Sequence, residues 1–264
     1  MKHLNTENKD KQIFFLCAMP RSGNTLFASL MNQNPEIAVT ANSITLEIMK
    51  DLFLLKKIDT FQNFPDEQSL DNVMDEVFNL YYKHWNYKVI IDRGPVCTST
   101  NLKLMKKHFK QPIRCIVLLR DVLDVLASYI KWSETEPTVF LNQLKTIDEK
   151  LNKLMYKYGA IAKGLLSIQY LLHHPEMAVF IKYDDLVIDP EKELRKVYTF
   201  LNLPYYQHQF TNLNQIIVNG VQYNDSIHGE NMHTIRTEKI MKVENEYKDM
   251  IPERFVKAYE HIRF

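Results

Sequence analysis

The stretch IFFLCAMPRSGNTLFASLM, Ile13 to Met31, decides the fold. Its first part, Ile13 to Ala18, is a short apolar run with β-branched and aromatic residues, the pattern of a buried strand. Pro20 stops the run, Arg21-Ser22-Gly23-Asn24-Thr25 turns the chain, and a helical pattern follows. Strand, tight turn and helix N-terminus are therefore expected in immediate succession. A helix start presents N–H groups that have no intrahelical partner, at the positive end of the helix dipole. With an arginine and two hydroxyls in the same turn, it is suited to hold an oxyanion such as phosphate or sulfate. The chain has only six glycines, so the placement of Gly23 in this turn is informative.

Three further apolar runs read as strands: Lys88–Asp92, Ile113–Leu119 and Met177–Tyr183. They are short, nearly continuous and separated by helical patterns, the signature of buried parallel strands. The expected architecture is α/β, three-layered, with a central, mostly parallel sheet flanked by helices. Helices are expected over Ser43–Lys57 and Asp66–Trp85, split by Phe64-Pro65-Asp66, and over Asn101–Phe109 and Asp121–Trp132. Pro137 to about His173 reads as one long helix or two, with a break near Gly159. Asp189 caps a helix over Pro190–Leu201, with Pro190 in its first turn and Pro204 past its end. Asn212 to Arg236 reads as a long loop, and Pro252–Ile262 as a closing helix. No repeat, low-complexity tract or linker divides the chain, so one domain over residues 1–264 is expected, with residues 1–11 a flexible N-terminus.

Composition narrows the function classes. Hydrophobic content of 45% and charged content of 25% fit an ordinary globular protein and exclude a disordered chain. A net charge of +1, with lysines spread along the chain, gives no support for a nucleic-acid or acidic-membrane partner. The longest apolar runs, about seven residues, are far too short to span a bilayer. The polar start MKHLNTENKDKQ has no apolar signal core, which points to a cytoplasmic protein. Cys17, Cys97 and Cys115 lack metal-ligand spacing, and Cys17 and Cys115 lie in expected strands as buried thiols.

Arginine is scarce, eight against twenty-five lysines, yet three of the eight follow predicted strands: Arg21, Arg93 and Arg120. In open parallel sheets ligands bind at the carboxyl ends of strands. Three guanidiniums converging there suit a polyanion. The turn is not a Walker A sequence, which needs an earlier glycine and a lysine beside the hydroxyl residue. In the second segment, LLRDVLDVLASY, Asp121 and Asp124 stand where caps and first-turn acids are favoured. Positions 120, 124 and 128 fall on one stripe, which lets Arg120 and Ser128 grip one phosphate.

PRSGNTL, followed about a hundred residues later by LLRDVLDVLASY, resembles the sulfotransferases that use 3′-phosphoadenosine 5′-phosphosulfate (PAPS). The resemblance continues in Tyr183-Asp184-Asp185-Leu186, in Asp189-Pro190 through Phe200-Leu201-Asn202-Leu203-Pro204, and in Gly229-Glu230-Asn231-Met232-His233-Thr234-Ile235-Arg236. It implies the P-loop NTPase-like sulfotransferase fold over nearly the whole chain. It further implies that Arg21, Ser22, Gly23, Asn24, Thr25 and Leu26 hold the 5′-phosphosulfate. Arg120 and Ser128 would hold the 3′-phosphate, Tyr183 would lie near the adenosine, and His233, Thr234 and Arg236 would belong to a lid over the cofactor. Val122 stands where the family often has proline, a residue that chiefly pre-sets the first helical turn. Ile91-Asp92-Arg93-Gly94-Pro95 lacks the catalytic histidine of the cytosolic small-molecule branch and is closer to the protein-tyrosine and bacterial branches.

The implied reaction is in-line sulfuryl transfer from PAPS to a hydroxyl (or amine) acceptor, releasing PAP without a metal. Arg21 and Arg93 would be the catalytic cations. A general base is needed, and Glu47 is the first candidate, with Asp92 and His233 as alternatives. Two other readings stay open: a P-loop-like nucleotide kinase or other phosphotransferase, and a non-catalytic nucleotide-binding protein on the same fold. The acceptor and the oligomeric state are not legible in the sequence.

Overall fold

Strand β1, Gln12–Ala18, is the middle strand of a five-stranded parallel sheet and carries the anion loop at its carboxyl end. The computed structural model describes residues 11–40, 42–136, 140–213, 217–222, 224–227, 233, 240–241 and 247–264. The flexible start expected for residues 1–11 thus falls almost wholly outside the described residues. The other strands are β2 (Ile37–Val39), β3 (Val89–Arg93), β4 (Cys115–Leu119) and β5 (Ala178–Lys182). They lie in the order β2-β3-β1-β4-β5, with every pairing parallel. The order reverses at β1, so the crevice at its carboxyl end is the topological switch point where such sheets bind ligands.

The helices are α1 (Asn24–Met31), α2 (Thr45–Leu55), α3 (Asp59–Asn63), α4 (Glu67–Asp75), α5 (Val77–Tyr81), α6 (Ser99–His108) and α7 (Val122–Thr135). They continue as α8 (Ile147–Leu154), α9 (Ala160–Leu172), α10 (Tyr183–Ile188), α11 (Pro190–Leu201), α12 (Tyr247–Met250) and α13 (Glu253–Tyr259). The core is the sheet itself: Phe15, Cys17, Ile90, Ile91, Ile116 and Val117 are fully buried, as strands covered on both faces require. All three cysteines are buried free thiols.

Local chemistry accounts for the boundaries. Asp189 accepts the N–H of Lys192 at 3.1 Å and caps α11, whose first residue is Pro190. Thr146 and Glu149 form a reciprocal capping box at the start of α8. Gly159 takes the N-cap position of α9, so the expected break near it is present, while Pro137–Val139 lie outside the described residues.

Several expectations need correction. The region between the first two long strands is not purely helical, because β2 pairs with β3 at the sheet edge. The expected Asp66–Trp85 helix is two helices that meet at Glu76, and Asp66 caps the first by accepting from Ser69 N–H at 3.0 Å. The loop expected over Asn212–Arg236 contains a small antiparallel hairpin, β6 (Ile217–Val218) with β7 (Val221–Gln222). Its two turn residues, Asn219 and Gly220, have φ of 51° and 74°, the left-handed geometry that such a two-residue turn demands. Asp121 occupies the N-cap position of α7 without capping it; its carboxylate accepts the N–H of Phe264 at 3.0 Å instead.

Candidate active site

The loop between β1 and α1 is tied down from below. The buried Asn24 side chain donates to the Met19 carbonyl at 2.9 Å and closes the turn. Gly23 is the N-cap of α1 with φ 86°, and a Cβ there would stand 2.6 Å from Cδ2 of Tyr183. Glycine is required twice over, by the left-handed backbone and by the approach of the tyrosine ring. Phe27 N–H makes the first helical bond, to the Gly23 carbonyl. The N–H groups of the residues before it mark the open end of the helix, and Thr25 and Leu26 lie half-buried in this first turn.

Around this helix start the predicted arginines converge. Arg21 donates from Nε to Ser128 Oγ at 3.2 Å, and its guanidinium carbon lies 5.9 Å from the centroid of Trp132. Arg120, at the end of β4, donates from Nη1 to the Arg21 carbonyl at 2.6 Å. The Arg120 guanidinium also stacks 4.3 Å from the ring centroid of Tyr183, which directly follows β5. One cluster therefore joins the ends of β1, β4 and β5 to Ser128 on α7. Arg120 and Ser128 both hold Arg21, the first at its backbone carbonyl and the second at its side chain. Burial holds the Arg21 guanidinium below its usual range, opposed by Tyr129, with the Arg120 charge adding to the lowering. Two buried polar atoms of the cluster, Ser22 Oγ and Arg120 Nε, have no hydrogen-bond partner among the described residues.

Arg93 is the last residue of β3, and its backbone N–H donates to Thr40 Oγ1 at 2.9 Å. Beside it, Asp92 is fully buried. Its Oδ2 accepts from Ser43 Oγ at 2.8 Å, Thr45 Oγ1 at 2.9 Å and Tyr82 OH at 2.5 Å. Burial pushes the Asp92 carboxyl up, and the three hydroxyls pull it partly back. The carboxyl thereby fastens the start of α2 to β3. Glu47, in the first turn of α2, is exposed and makes no hydrogen bond or ion pair among the described residues. It lies close enough to Asp92 for its charge to oppose ionisation there.

His233 lies within electrostatic reach of Arg93 and Arg21. Its backbone N–H donates to Asp225 Oδ2 at 2.9 Å, and its ring Nδ1 pairs with Asp225 Oδ1 at 2.5 Å. Burial holds the imidazole below its usual range; Asp225 raises it, and the two arginines lower it further. Thr234 and Arg236 lie outside the described residues. Tyr129, which neighbours Ser128, is buried and pushed up to about 12, while Arg21 and Arg93 pull it the other way.

Trp132, Tyr129 and Asp225 are the residues at this site that the sequence did not assign. Trp132 had a readable signal, four positions beyond Ser128 on the same helical face. Asp225 had none: nothing in the types of Asp225 and His233 marks them as partners.

The sulfotransferase domain model matches residues 11–259. Protein-tyrosine sulfotransferase 1 of Danio rerio is 21% identical over 208 residues, 75% of this chain. The chain spans 55% of that relative's length. The sulfotransferase domain from the Synechococcus PCC 7002 olefin synthase superposes with a TM-score of 0.54 at 15% identity, covering 97% of this chain and 98% of the other. Mouse sulfotransferase SULT7A1 complexed with PAP superposes with a TM-score of 0.54 at 13% identity, covering 95% of this chain and 83% of the other. At these identities the two superpositions speak for the fold. With a parallel sheet in the order β2-β3-β1-β4-β5, an arginine-flanked helix start at its switch point and a domain match over nearly its full length, the chain belongs to the sulfotransferase domain family.

Proposed function

We propose that the chain, acting as a single domain, catalyses PAPS-dependent sulfuryl transfer to a hydroxyl-bearing acceptor. The observation that carries this reading is the convergence of Arg21, Arg120 and Ser128 on the open N-terminus of α1. Two neighbouring phosphate positions fit there. The helix start, with Ser22, Gly23, Asn24, Thr25 and Leu26, suits the 5′-phosphosulfate. Arg120 and Ser128 suit the 3′-phosphate, and the buried Arg120 Nε and Ser22 Oγ, which have no partner among the described residues, are donors such an anion would satisfy. Tyr183, already under the Arg120 guanidinium, offers a face for the adenine. By the resemblance, Thr234 and Arg236 would add a lid over the cofactor.

The chemistry asked of the protein is charge stabilisation. In an in-line displacement, negative charge grows on the oxygen that links sulfur to the leaving phosphate. Arg21 and Arg93, backed by the N–H groups of α1, would supply the fixed positive charge that meets it. Arg21 is largely buried, so its charge acts through a poorly screened medium.

Thermal melts with PAP, ATP–magnesium and ADP test the assignment. A ligand at a hundred times its Kd stabilises the native state by about 2.7 kcal/mol. In a chain of this size that raises Tm by roughly 5–10 °C. PAP is expected to give this shift and ATP–magnesium a much smaller one, with Arg120→Ala abolishing the PAP effect. Stabilisation by ATP–magnesium but not by PAP would overturn the reading in favour of a phosphotransferase.

A further inference from the structure

Beside the two catalytic arginines stands an ionisable pair that anion binding does not use. Asp225, in the turn Asp225–Ile227, accepts both from the backbone N–H of His233 and from its ring. A carboxylate only accepts, so the ring proton on that side sits on Nδ1 and the ring's lone pair is on Nε2. Because Asp225 grips the backbone and the ring of one residue, it fixes the tautomer and the rotation of the imidazole together. The His233 side chain is 9% exposed and that of Asp225 21%, so their bond is largely sheltered from water. The charged groups that face this pair among the described residues are Arg93 and Arg21.

Building on the PAPS reading, we propose that His233 is the catalytic base that takes the acceptor's proton and that Asp225 is the residue that positions it. The acceptor oxygen forms its bond to sulfur while the bond from sulfur to the bridging oxygen breaks. The electron pair of the broken bond stays on the leaving phosphate of PAP. The acceptor's proton passes to Nε2 of His233, and the imidazolium is held by Asp225 until the proton is released to solvent. At neutral pH, burial and the two arginines keep the ring uncharged, the form that accepts a proton.

The rival bases fit less well. Asp92 has no exposed surface and three hydroxyls on one oxygen, so its task is to fasten α2 to β3. Glu47 is exposed and has no group to orient it among the described residues. An unoriented, solvated carboxylate is a poor base for an alcohol.

The test has three readouts. First, nitrogen-15 NMR of the PAP-bound protein reads the imidazole directly. We expect an Nδ1-protonated ring at pH 7 that titrates below 6.5, and Asp225→Asn should lose that tautomer. An Nε2-protonated ring overturns the proposal. Second, PAP should stabilise His233→Gln and wild type equally. Loss of that shift would make His233 a cofactor ligand and not the base. Third, PAP release from PAPS is followed with 2-naphthol, a tyrosine peptide and water as acceptors. His233→Gln and His233→Asn should lose about 100-fold in kcat, together with the acid limb of the pH profile. Asp225→Asn should move that limb to lower pH, and Glu47→Gln should stay near wild type. A 100-fold loss in Glu47→Gln with normal His233→Gln turnover overturns the proposal in favour of the glutamate. Failure of wild type to bind PAP at all removes the underlying PAPS reading, a result distinct from each of these.

Discussion

Arg21 and Gly23 show how the anion loop trades backbone comfort for position. Arg21 has φ 64°, left-handed geometry that costs a side-chain-bearing residue about 1 kcal/mol. Arg21→Gly should therefore be more stable than Arg21→Ala by about 1 kcal/mol in urea unfolding, while neither binds PAP. Equal stability of the two would mean that the backbone strain is not felt. Gly23→Ala meets the same backbone cost and also forces the Tyr183 ring away from its 2.6 Å approach. A loss of about 1–3 kcal/mol is expected, with weaker PAP binding because the moved tyrosine no longer lies under Arg120. Unchanged stability in Gly23→Ala would show that the ring yields freely. These residues were legible in the sequence because each sits next to the end of a strand run. Asp225 was not, because its contact with His233 follows no helical or strand spacing. Glu47 rests on the resemblance, through its place on the helix after the anion loop, and such a place does not say which way a side chain faces.

Elements convey the same positioning over longer distances. Helix α9 lies against the end of β1 through Gly164, where a Cβ would stand 2.9 Å from the Ala18 carbonyl oxygen and 3.0 Å from Met19 Cα. Two effects oppose each other in Gly164→Ala. Helix propensity favours alanine by about 1 kcal/mol. Overpacking costs about 1–3 kcal/mol, and the atoms met here are backbone, which cannot swing aside as a side chain can. A net fall in the urea midpoint is expected, with weakened PAP binding, since Met19 leads directly into the anion loop; a raised midpoint would refute it. Among the elements, the four long strands and α11 stood out in sequence because their apolar runs and caps are local signals. Strand β2 did not: three residues, Ile37–Val39, are too few to show a period, and the strand exists because β3 offers it an edge. The break at Glu76 was equally silent, as no glycine or proline marks it.

At the scale of the whole molecule, proton linkage sums over groups far apart. His208 is buried, and that burial lowers its imidazole, opposed by the Leu30 backbone; His233 is lowered for the reasons given above. Each binds a proton more readily in the unfolded chain. Their contribution to stability is thus full above the unfolded value of about 6.5 and is lost as pH falls from there toward the folded value. Asp92 has the opposite sign. Its carboxyl is raised by burial, so its charged form weighs against the native state at neutral pH. That penalty is relieved as pH falls through the folded value toward about 3.9. Protonation of the two histidines in the unfolded chain should lower Tm as pH falls below about 6.5, and His208→Gln should flatten part of that fall. Asp92→Asn isolates the opposing contribution. An amide oxygen can still accept from Ser43, Thr45 and Tyr82, but it carries no charge to desolvate. Asp92→Asn should therefore melt higher than wild type at pH 7, and its advantage should shrink steadily as the pH is lowered. Thermal melts of both proteins from pH 7.5 to 4.5 check this. An advantage that grows on acidification would mean that Asp92 is stabilised as a carboxylate, held by its three hydroxyls more strongly than burial opposes it.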